Sequence, residues 1–453
     1  MAKWSVLLLV FCTTVFFSCK KTDYTFNNDI APIIIENCVP CHRDQGAAPF
    51  SLTNYQQVNR KRNTIVKVTQ RAYMPPWPAN RHYSSFVGEK YLTAEEKAMI
   101  KNWVKGGAPE GDGVMPEIPP YSPYSRIGQP DTTIWFDSVF ISGNNRDQFY
   151  IMTLPFELKE KTFVRAMEFI PNENKLVHHM NGHLLNYEDY AKSDVYGGLR
   201  IMNIEVDEKT YLKNFDSMAL YNDDGSKPAR IHSAVNYLPG VEASIYPEGI
   251  GGFTVNKKAI LVANDMHYAP IPKGKWDYSH VNLFFAKQPP KRPVKETMMG
   301  TNGISKIIPP LVVPANEITT HVSSIEVDQD ISILTINPHM HLLGQSFKAY
   351  AIKPNLDTIR LIHIPRWDFR WQYFYTFPKM LKIPAGSTIT IEASFDNTSN
   401  NPNNPNDPPE EVAERLDRGG EGMRTTDEML QFIITWLPYE EGDEEISLDP
   451  SDL

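Results

Sequence analysis

The chain has 453 residues, of which 41% are hydrophobic and 22% are charged. This composition is ordinary for a globular protein, and the length favours about three domains. The net charge of −9 is modest for such a length, and the chain has no run of lysine or arginine that would follow a phosphate backbone. We therefore exclude a disordered chain and expect no nucleic-acid partner.

The first residues have the pattern of an export signal. Lys3 precedes an apolar run, Val6–Phe17, which is too short to span a membrane comfortably. Ser18 and Cys19 follow, and a small residue before a cysteine resembles a bacterial lipoprotein processing site. We predict a signal peptide over 1–18 and a lipid on Cys19, which would anchor an exported bacterial protein in the periplasm or at the cell surface. A plain signal peptide and an uncleaved anchor are the alternatives, because two bulky phenylalanines precede Ser18.

Three regions of different patterning follow the signal. Residues 22–112 have helical periodicity, and Glu95–Val104 is the clearest amphipathic segment. Residues 113–130 are rich in proline, which predicts an extended, semi-rigid linker. From residue 131 onwards, short β-branched and aromatic runs alternate with turn residues, as is typical of antiparallel sandwiches.

The β region is generous for one sandwich, and residues 287–314 within it are rich in proline and lysine. We therefore predict two β domains, over 131–295 and 296–440. The fold class is multidomain: a small all-α domain followed by two all-β antiparallel sandwiches. The Asn/Pro-rich loop at 397–409 and the acidic tail at 441–453 are expected to be solvated.

A CxxCH motif at Cys38, Cys41 and His42 predicts a covalent c-type haem. In this motif two thiols add to the haem vinyl groups and the following histidine ligates the iron. The other two cysteines, Cys12 and Cys19, fall in the signal, so no structural disulfide is expected. The alternative is a chance pair of thiols or half of a zinc site.

The second axial ligand of the haem should be a downstream methionine or histidine. Met74 lies in a proline-rich turn that could hold a thioether against the iron, and His82 is the competitor. Met74 could also be an ordinary core residue. The stretch Asn28–Gly107 resembles the cytochrome c domains that are fused to other exported bacterial enzymes.

Three histidine segments in the β region are candidate metal ligands. His339 and His341 are two residues apart, so both side chains lie on one face of a strand. His178 and His179 are adjacent and can reach one metal only at a bulge or a strand end. The third segment contains His267. Singly, each histidine is more often exposed or hydrogen-bonded than a ligand, and imidazole suits copper and zinc alike.

The order of these segments is more specific than any one of them. The motifs HHM, MHY and HxH, followed by Thr425–Met429 (TTDEM), resemble the copper type II ascorbate-dependent monooxygenases, which include peptidylglycine and dopamine monooxygenases. The resemblance covers roughly residues 145 to 440. It implies two jelly-roll-like domains and two copper ions. The electron-transfer copper would be held by His178, His179 and His267, and the catalytic copper by His339, His341 and Met429.

Ligand chemistry agrees with this division. Three imidazoles suit a copper that cycles between Cu(I) and Cu(II), and a thioether at the other site favours Cu(I). Without the TTDE match, Met429 would be read as a core residue of the following strand. His183 is an additional histidine near the first site, and we expect it to support that site or to be incidental.

The resemblance fails at the substrate positions. Peptide-processing members hold a terminal carboxylate with an arginine, an asparagine and a tyrosine, where this chain has Asn337, Gln431 and Ile433. The bidentate recognition that arginine gives a carboxylate is therefore absent. We expect a substrate other than peptidylglycine.

The leading hypothesis is an enzyme that uses O₂ to hydroxylate a C–H bond of a small organic substrate. Its electrons would come from ascorbate or a periplasmic redox protein and enter through the fused haem. The alternatives are a non-catalytic copper and haem electron-transfer protein, and an interaction module that uses the fold as a scaffold.

Overall fold

The computed structural model describes residues 24–120, 122–241, 243–247, 249–415 and 424–452. The predicted signal peptide and Cys19 lie outside these residues. Most of the regular structure is β-sheet, as the sequence predicts for the larger part of the chain.

The N-terminal region contains helices, and among the described residues of 24–112 none lies in a strand. A π-helical turn, Phe26–Ile30, leads into α1 (Ala31–Asn37), α2 (Tyr55–Gln70) and α3 (Ala94–Lys105). The helix starts are encoded locally: the Asn54 side chain caps α2, and Thr93 forms a reciprocal capping box with Glu96 at α3. None of the described helices is long and apolar enough to cross a membrane.

The first β unit, residues 132–285, consists of a four-stranded sheet (order β1-β11-β4-β8), a five-stranded sheet (β6-β3-β9-β5-β7) and the pair β10-β2. One hydrophobic core takes side chains from both larger sheets, including Leu154, Val164 and Leu261, so the two sheets form a sandwich. Its elements are β1 (Thr132–Trp135), β2 (Val139–Ile141), β3 (Gln148–Glu157), β4 (Thr162–Ile170), β5 (Val177–Tyr187), β6 (Ile201–Asn203), α4 (Glu208–Ser217), β7 (Ala229–Tyr237), β8 (Phe253–Val255), β9 (Lys258–Tyr268), β10 (Lys275–Asp277) and β11 (His280–Phe285).

The second β unit, residues 295–438, has the same plan: a four-stranded sheet (β12-β22-β16-β19), a five-stranded sheet (β13-β15-β20-β17-β18) and the pair β14-β21. Ile333, Phe347 and Phe432 contribute to its core. Its strands are β12 (Lys295–Gly300), β13 (Ile307–Ile308), β14 (Val312–Val313), β15 (Ile318–Glu326), β16 (Ile331–Met340), β17 (Gly344–Ile352), β18 (Thr358–Ile364), β19 (Tyr375–Ile383), β20 (Thr388–Asp396), β21 (Val412–Ala413) and β22 (Leu430–Pro438).

The N-terminal region packs directly on the second β unit. Ala79 and Phe86 belong to the core of that unit. The backbone N–H of Asn80 donates to the carbonyl of His363 at 2.8 Å, and that of Val87 donates to Thr376 at 2.8 Å. The segment between α2 and α3 therefore connects the helical region to the β region.

The expectation that the acidic tail is solvated is wrong for its first residues. Asp443 is 2% exposed, and its carboxylate receives both Nη groups of Arg292, at 2.6 and 2.7 Å. Leu448 is also buried. The loop at 397–409 is likewise partly anchored, because the buried Asn397 amide donates to the carbonyls of Val313 and Glu410. A carboxylate or amide with buried partners stays in the folded structure despite the polar composition around it.

Candidate metal centres

Three imidazoles converge where two interior strands of the five-stranded sheet in the first β unit meet, at the start of β5 and the end of β9. We call His178, His179 and His267 the first histidine group. His179 and His267 are direct partners across β5 and β9, and β5 has a register shift between Val177 and His179. This bulge at His178 lets two adjacent histidines reach one point, which a regular strand would prevent. The three ligand atoms lie within 4.8 Å of one another.

The nitrogens that face each other in this group are the Nδ1 atoms. His179 Nδ1 is 3.3 Å from Nδ1 of His178 and 3.3 Å from Nδ1 of His267. The outer nitrogens face carboxylates: Nε2 of His179 donates to Asp265 at 2.8 Å, and Nε2 of His267 donates to Asp147 at 2.7 Å. Each carboxylate keeps a proton on Nε2 and leaves the Nδ1 lone pair free to bind a metal.

Burial favours the uncharged form of two imidazoles in this group, His178 and His267. It lowers the pKa of His178 to about 3, with added repulsion from His179 and His267. Burial also lowers the pKa of His267, although the hydrogen bond with Asp147 opposes the effect. A neutral imidazole is the form that binds metal, so His178 and His267 are ready ligands near pH 7. The Phe149 ring stacks on His267 at 4.3 Å between centroids.

A second histidine group, His339 and His341, lies at the end of β16, and its ring centroids are 5.1 Å apart. On the neighbouring strand β22, Gln431 is paired with His339 and Leu430 with Met340. Continuing that register by one residue places Met429 opposite His341. Both histidines and Met429 line one cavity of about 180 Å³.

The outer nitrogens of the second group have neutral partners. Nδ1 of His339 donates to the Gln372 side-chain oxygen at 2.5 Å, and Nδ1 of His341 donates to the backbone carbonyl of Asp427 at 2.9 Å. Nε2 is therefore the nitrogen left free on both rings, the opposite of the first group. Burial lowers the pKa of His339 to about 3 and also lowers that of His341, so both rings are neutral.

One buried carboxylate holds the second group together. Glu428 is fully buried and accepts three backbone N–H groups, from His341 at 2.5 Å, Met429 at 2.9 Å and Leu343 at 3.0 Å. The same carboxylate thus fixes the chain at both His341 and Met429. The sequence motif contains this glutamate, but sequence reasoning gave it no role.

The two groups are neighbours across the boundary between the β units. The Phe369 ring contacts His179 and His341, each with 5.7 Å between centroids. Asp265, the partner of His179, lines the same cavity as His339. Burial opposes ionisation of Asp265, but the electrostatic interaction and the hydrogen bond with His179 outweigh it, and the pKa of this carboxyl lies below its usual value.

Sequence reasoning missed the segment that supplies these contacts. From the loop after β18 into the start of β19 the chain reads Phe369–Phe377 (FRWQYFYTF), with an aromatic residue at every second position. Gln372 bonds His339, and the Trp371 ring lies 6.0 Å from His178. The alternation was the available signal, because alternate residues of an extended segment lie on one face.

His183 belongs to the cavity of the second group. Its Nδ1 is 3.3 Å from Asn264 Oδ1, and both residues line that cavity. Within the described part of the chain its buried Nε2 has no hydrogen-bond partner, and neither does the buried hydroxyl of Ser233, which lines the same cavity. His183 is thus not one of the three clustered imidazoles, and it lines the cavity of the second group.

The CxxCH motif forms a tight turn at the end of α1. Cys38 caps the helix, and its carbonyl accepts the N–H of Cys41 at 3.2 Å and of His42 at 2.8 Å. Both cysteines are free, and burial together with Cys41 raises the pKa of Cys38 to about 12. Nδ1 of His42 donates to the Phe50 carbonyl at 3.0 Å, which leaves Nε2 available. Cys41 faces the first β unit, where its sulfur is 3.5 Å from the Pro239 carbonyl.

The two candidates for the second axial ligand differ in setting. Met74 is half-buried in the turn after α2, where the preceding Tyr73 N–H donates to the Val68 carbonyl at 2.9 Å. His82 is exposed and lies beside Arg81. The choice between them stays a prediction, and the more enclosed site favours Met74.

Comparison with known proteins gives little for this chain. No family model matches it, and no curated protein matches it. Among solved structures, it aligns with a structure of the infectious bursal disease virus Gt strain at 9% sequence identity and a TM-score of 0.15. That alignment covers 70% of this chain and 84% of the viral chain. A TM-score this low carries no argument about fold or function.

Proposed function

We propose that this chain is a copper-dependent monooxygenase of the ascorbate-dependent copper type II family, fused to an N-terminal cytochrome c domain. It would insert one oxygen atom of O₂ into a C–H bond of an organic substrate and reduce the other to water. The observation that carries the proposal is the pair of neighbouring histidine groups, one presenting three Nδ1 atoms and the other two Nε2 atoms. The second group lines a cavity together with Met429 and with Asp265, the partner of His179. The two β units would be the two jelly-roll-like copper domains of the family.

The first group fits a bound metal ion. Two nitrogens held about 2.0 Å from a tetrahedral metal are about 3.3 Å apart, and two of the Nδ1 separations measure 3.3 Å. His178, His179 and His267 would hold the electron-transfer copper. Neutral imidazoles accept zinc as well, so this group alone does not select the metal.

The second group adds selectivity for copper over zinc. A thioether is a soft ligand that favours Cu(I), and zinc binds it only weakly. His339, His341 and Met429 would hold the catalytic copper, positioned by the buried Glu428. Copper at the two groups would supply one electron each. The balance is one C–H bond, one O₂, two electrons and two protons, giving one C–OH and one water.

The CxxCH turn fits a covalent haem. Cys38 and Cys41 are free, half-buried thiols in one tight turn, so both are available to form thioether bonds. The bond from His42 to the Phe50 carbonyl leaves Nε2 for the iron. Cys38, Cys41 and His42, with Met74 as the opposite ligand, would hold a haem that supplies a one-electron redox centre where electrons enter the chain.

The cavity of the second group would receive the substrate. In this chain, the side chains at the positions that bind a carboxylate in peptide-processing members are not free to bind one. The amide of Asn337 donates to the Tyr373 carbonyl at 3.0 Å, that of Gln431 donates to the Thr301 carbonyl at 2.8 Å, and Ile433 is apolar. The unpartnered Nε2 of His183 and hydroxyl of Ser233 would hold a polar group of a small molecule instead. We expect no useful activity on glycine-extended peptides.

The remaining parts of the proposal rest on the sequence alone. The chain would be exported by a bacterium and anchored to a membrane through a lipid on Cys19. Its electrons would come from ascorbate or from a periplasmic redox protein.

The test is oxygen uptake by the haem- and copper-loaded protein, with substrates screened by mass spectrometry for one added oxygen atom from ¹⁸O₂. The matched variant is Met429→Ile, which removes the thioether and keeps a side chain of similar volume. We expect it to retain most of its copper and to lose turnover. A wild-type protein that binds copper and reduces no O₂ with any substrate would contradict the proposal and favour an electron-transfer role.

A further inference from the structure

A continuous set of aromatic contacts runs from the first histidine group to the helical region. The Trp371 ring is 6.0 Å from the His178 ring, and the Tyr373 ring is 6.4 Å from Trp371 and nearly parallel to it, at 20°. The Trp77 ring is 5.2 Å from Tyr373. We call Trp77, Tyr373 and Trp371 the aromatic bridge.

The far end of the bridge lies beside the CxxCH turn. Trp77, Tyr373 and Pro40, the middle residue of the motif, line one cavity of about 430 Å³. Trp77 also lies three residues after Met74, in the same turn. The bridge therefore joins the surroundings of the cysteine motif to a proposed copper ligand, with no missing ring between them.

The fold fixes the bridge more firmly than an exposed loop would. Trp371 and Tyr373 lie on one face of the segment that leads into β19, because they are two residues apart. Tyr373 is 2% exposed, and its hydroxyl donates to the Pro76 carbonyl at 2.6 Å. Tyr375, next on the same face, contacts Trp77 at 5.5 Å. Packing therefore holds Trp77 from two sides.

We propose that the aromatic bridge is the path by which electrons pass between the haem held by Cys38, Cys41 and His42 and the copper held by the first histidine group. The inference rests on the proposed function. One electron would pass per event: the iron would go from Fe(II) to Fe(III), and the copper from Cu(II) to Cu(I). Electronic coupling falls steeply across gaps, and rings in contact provide a continuous packed route.

No proton needs to move with the electron. The Tyr373 phenol stays bonded to the Pro76 carbonyl, which is a poor base, and burial, assisted by Cys41, raises the pKa of Tyr373. The indole Nε1 of Trp77 is buried and has no hydrogen-bond partner within the described part of the chain. The electron therefore passes through the rings without the loss of a proton from Tyr373 or Trp77.

The test is the rate of electron transfer from haem to copper, measured without turnover. Under anaerobic conditions the haem of the full-length loaded protein is reduced by a photosensitiser that a light pulse excites in the presence of a sacrificial electron donor. The reoxidation of the haem is followed by absorbance, and the Cu(II) signal is followed by EPR. We expect Trp371→Leu to slow this rate by roughly tenfold or more, because the lost ring leaves a gap without atoms. Trp371→Phe should restore most of the rate.

Two further variants keep the test decisive. Trp77→Leu should slow transfer without touching His178, so it covers the case in which Trp371→Leu loses copper. Trp276→Leu is the control, since this exposed indole contacts Phe140 on the pair β2-β10 and is not part of the aromatic bridge. Unchanged rates in Trp371→Leu and Trp77→Leu, at full haem and copper content, would overturn the bridge. A wild-type protein without haem, without copper or without any transfer between them would instead overturn the proposed function.

A second readout needs no haem. Cu(II) added to the copper-free protein should quench the fluorescence of Trp371, which lies next to His178. Trp371→Phe should remove that quenched component, and Trp276→Phe should leave it. Equal quenching in all three proteins would contradict the placement of Trp371 beside the metal.

Discussion

The two histidine groups use the same ligand type but opposite nitrogens and opposite support. In the first group, carboxylates of Asp265 and Asp147 stand behind two of the imidazoles. In the second group, neutral oxygens accept the outer N–H groups of the imidazoles, namely the side-chain amide oxygen of Gln372 and the backbone carbonyl of Asp427. A carboxylate makes an imidazole a stronger donor and favours the higher oxidation state, whereas neutral support and a thioether favour Cu(I). We therefore expect electrons to pass from the copper of the first histidine group to the copper of the second.

The largest expected effect is the loss of one metal at a time. His267→Ala should leave one copper per chain, at the second group, and His339→Ala should leave one copper at the first. The groups draw their ligands from different sheets, so one can be emptied while the other stays formed. Metal analysis with EPR distinguishes the two. If either variant lost both copper ions while remaining folded by circular dichroism, the groups would form one site and the comparison would fail.

Next is the carboxylate support of the first group. Asp265→Asn removes the charge behind His179 and should weaken copper binding there by about 10- to 100-fold. The second group should keep its affinity. Asp147→Asn is the matched variant, and its effect should be smaller because that carboxylate is 50% exposed. Equal copper affinities for all three proteins in competition with a chelator would show that the carboxylates do not tune the site.

Glu428→Gln tests the scaffold of the second group. The amide nitrogen of glutamine cannot accept a backbone N–H, so at least one of three buried bonds is lost. We expect a loss of about 2 kcal/mol in the free energy of unfolding, together with weaker copper binding at the second group alone. Glu441→Gln, at an exposed position, is the control and should match the wild type in chemical denaturation. Unfolding midpoints that coincide for both variants would contradict this role.

The smallest effect sharpens the comparison by making the groups alike. Gln372→Glu places a carboxylate behind His339, as Asp265 stands behind His179. The second copper should then favour Cu(II) by roughly tenfold, a fall of about 59 mV in its potential. A redox titration followed by EPR measures the shift. A potential that stayed constant or rose would show that the supporting oxygens do not set the difference between the groups.

Local patterns in the sequence predicted the β-rich fold and the histidine pairing. Short β-branched and aromatic runs between turn residues predicted the strands, and the spacing of His339 and His341 put both on one face. The adjacency of His178 and His179 required a bulge or a strand end, and β5 has a register shift at that point. These features depend on neighbours in the chain, so the sequence contains them.

Long-range contacts could not be predicted in this way. Asp265 is 86 residues from its partner His179 and Asp147 is 120 residues from its partner His267, so nothing local marks either carboxylate. The contact of Phe369 with both groups depends on how the two β units meet. Arg292 and Asp443 form a buried ion pair that holds the tail against the fold, although the acidic composition of the tail suggested that it is solvated. In each case packing between distant segments decided the outcome.

The central claim is that both histidine groups hold copper. The most direct measurement is metal analysis of the wild-type protein after loading in equal amounts of copper and zinc, with EPR of the oxidised sample. We predict two copper ions per chain, with two distinguishable Cu(II) signals, of which the His267→Ala variant lacks one. Zinc at both groups would contradict the claim and the monooxygenase proposal with it.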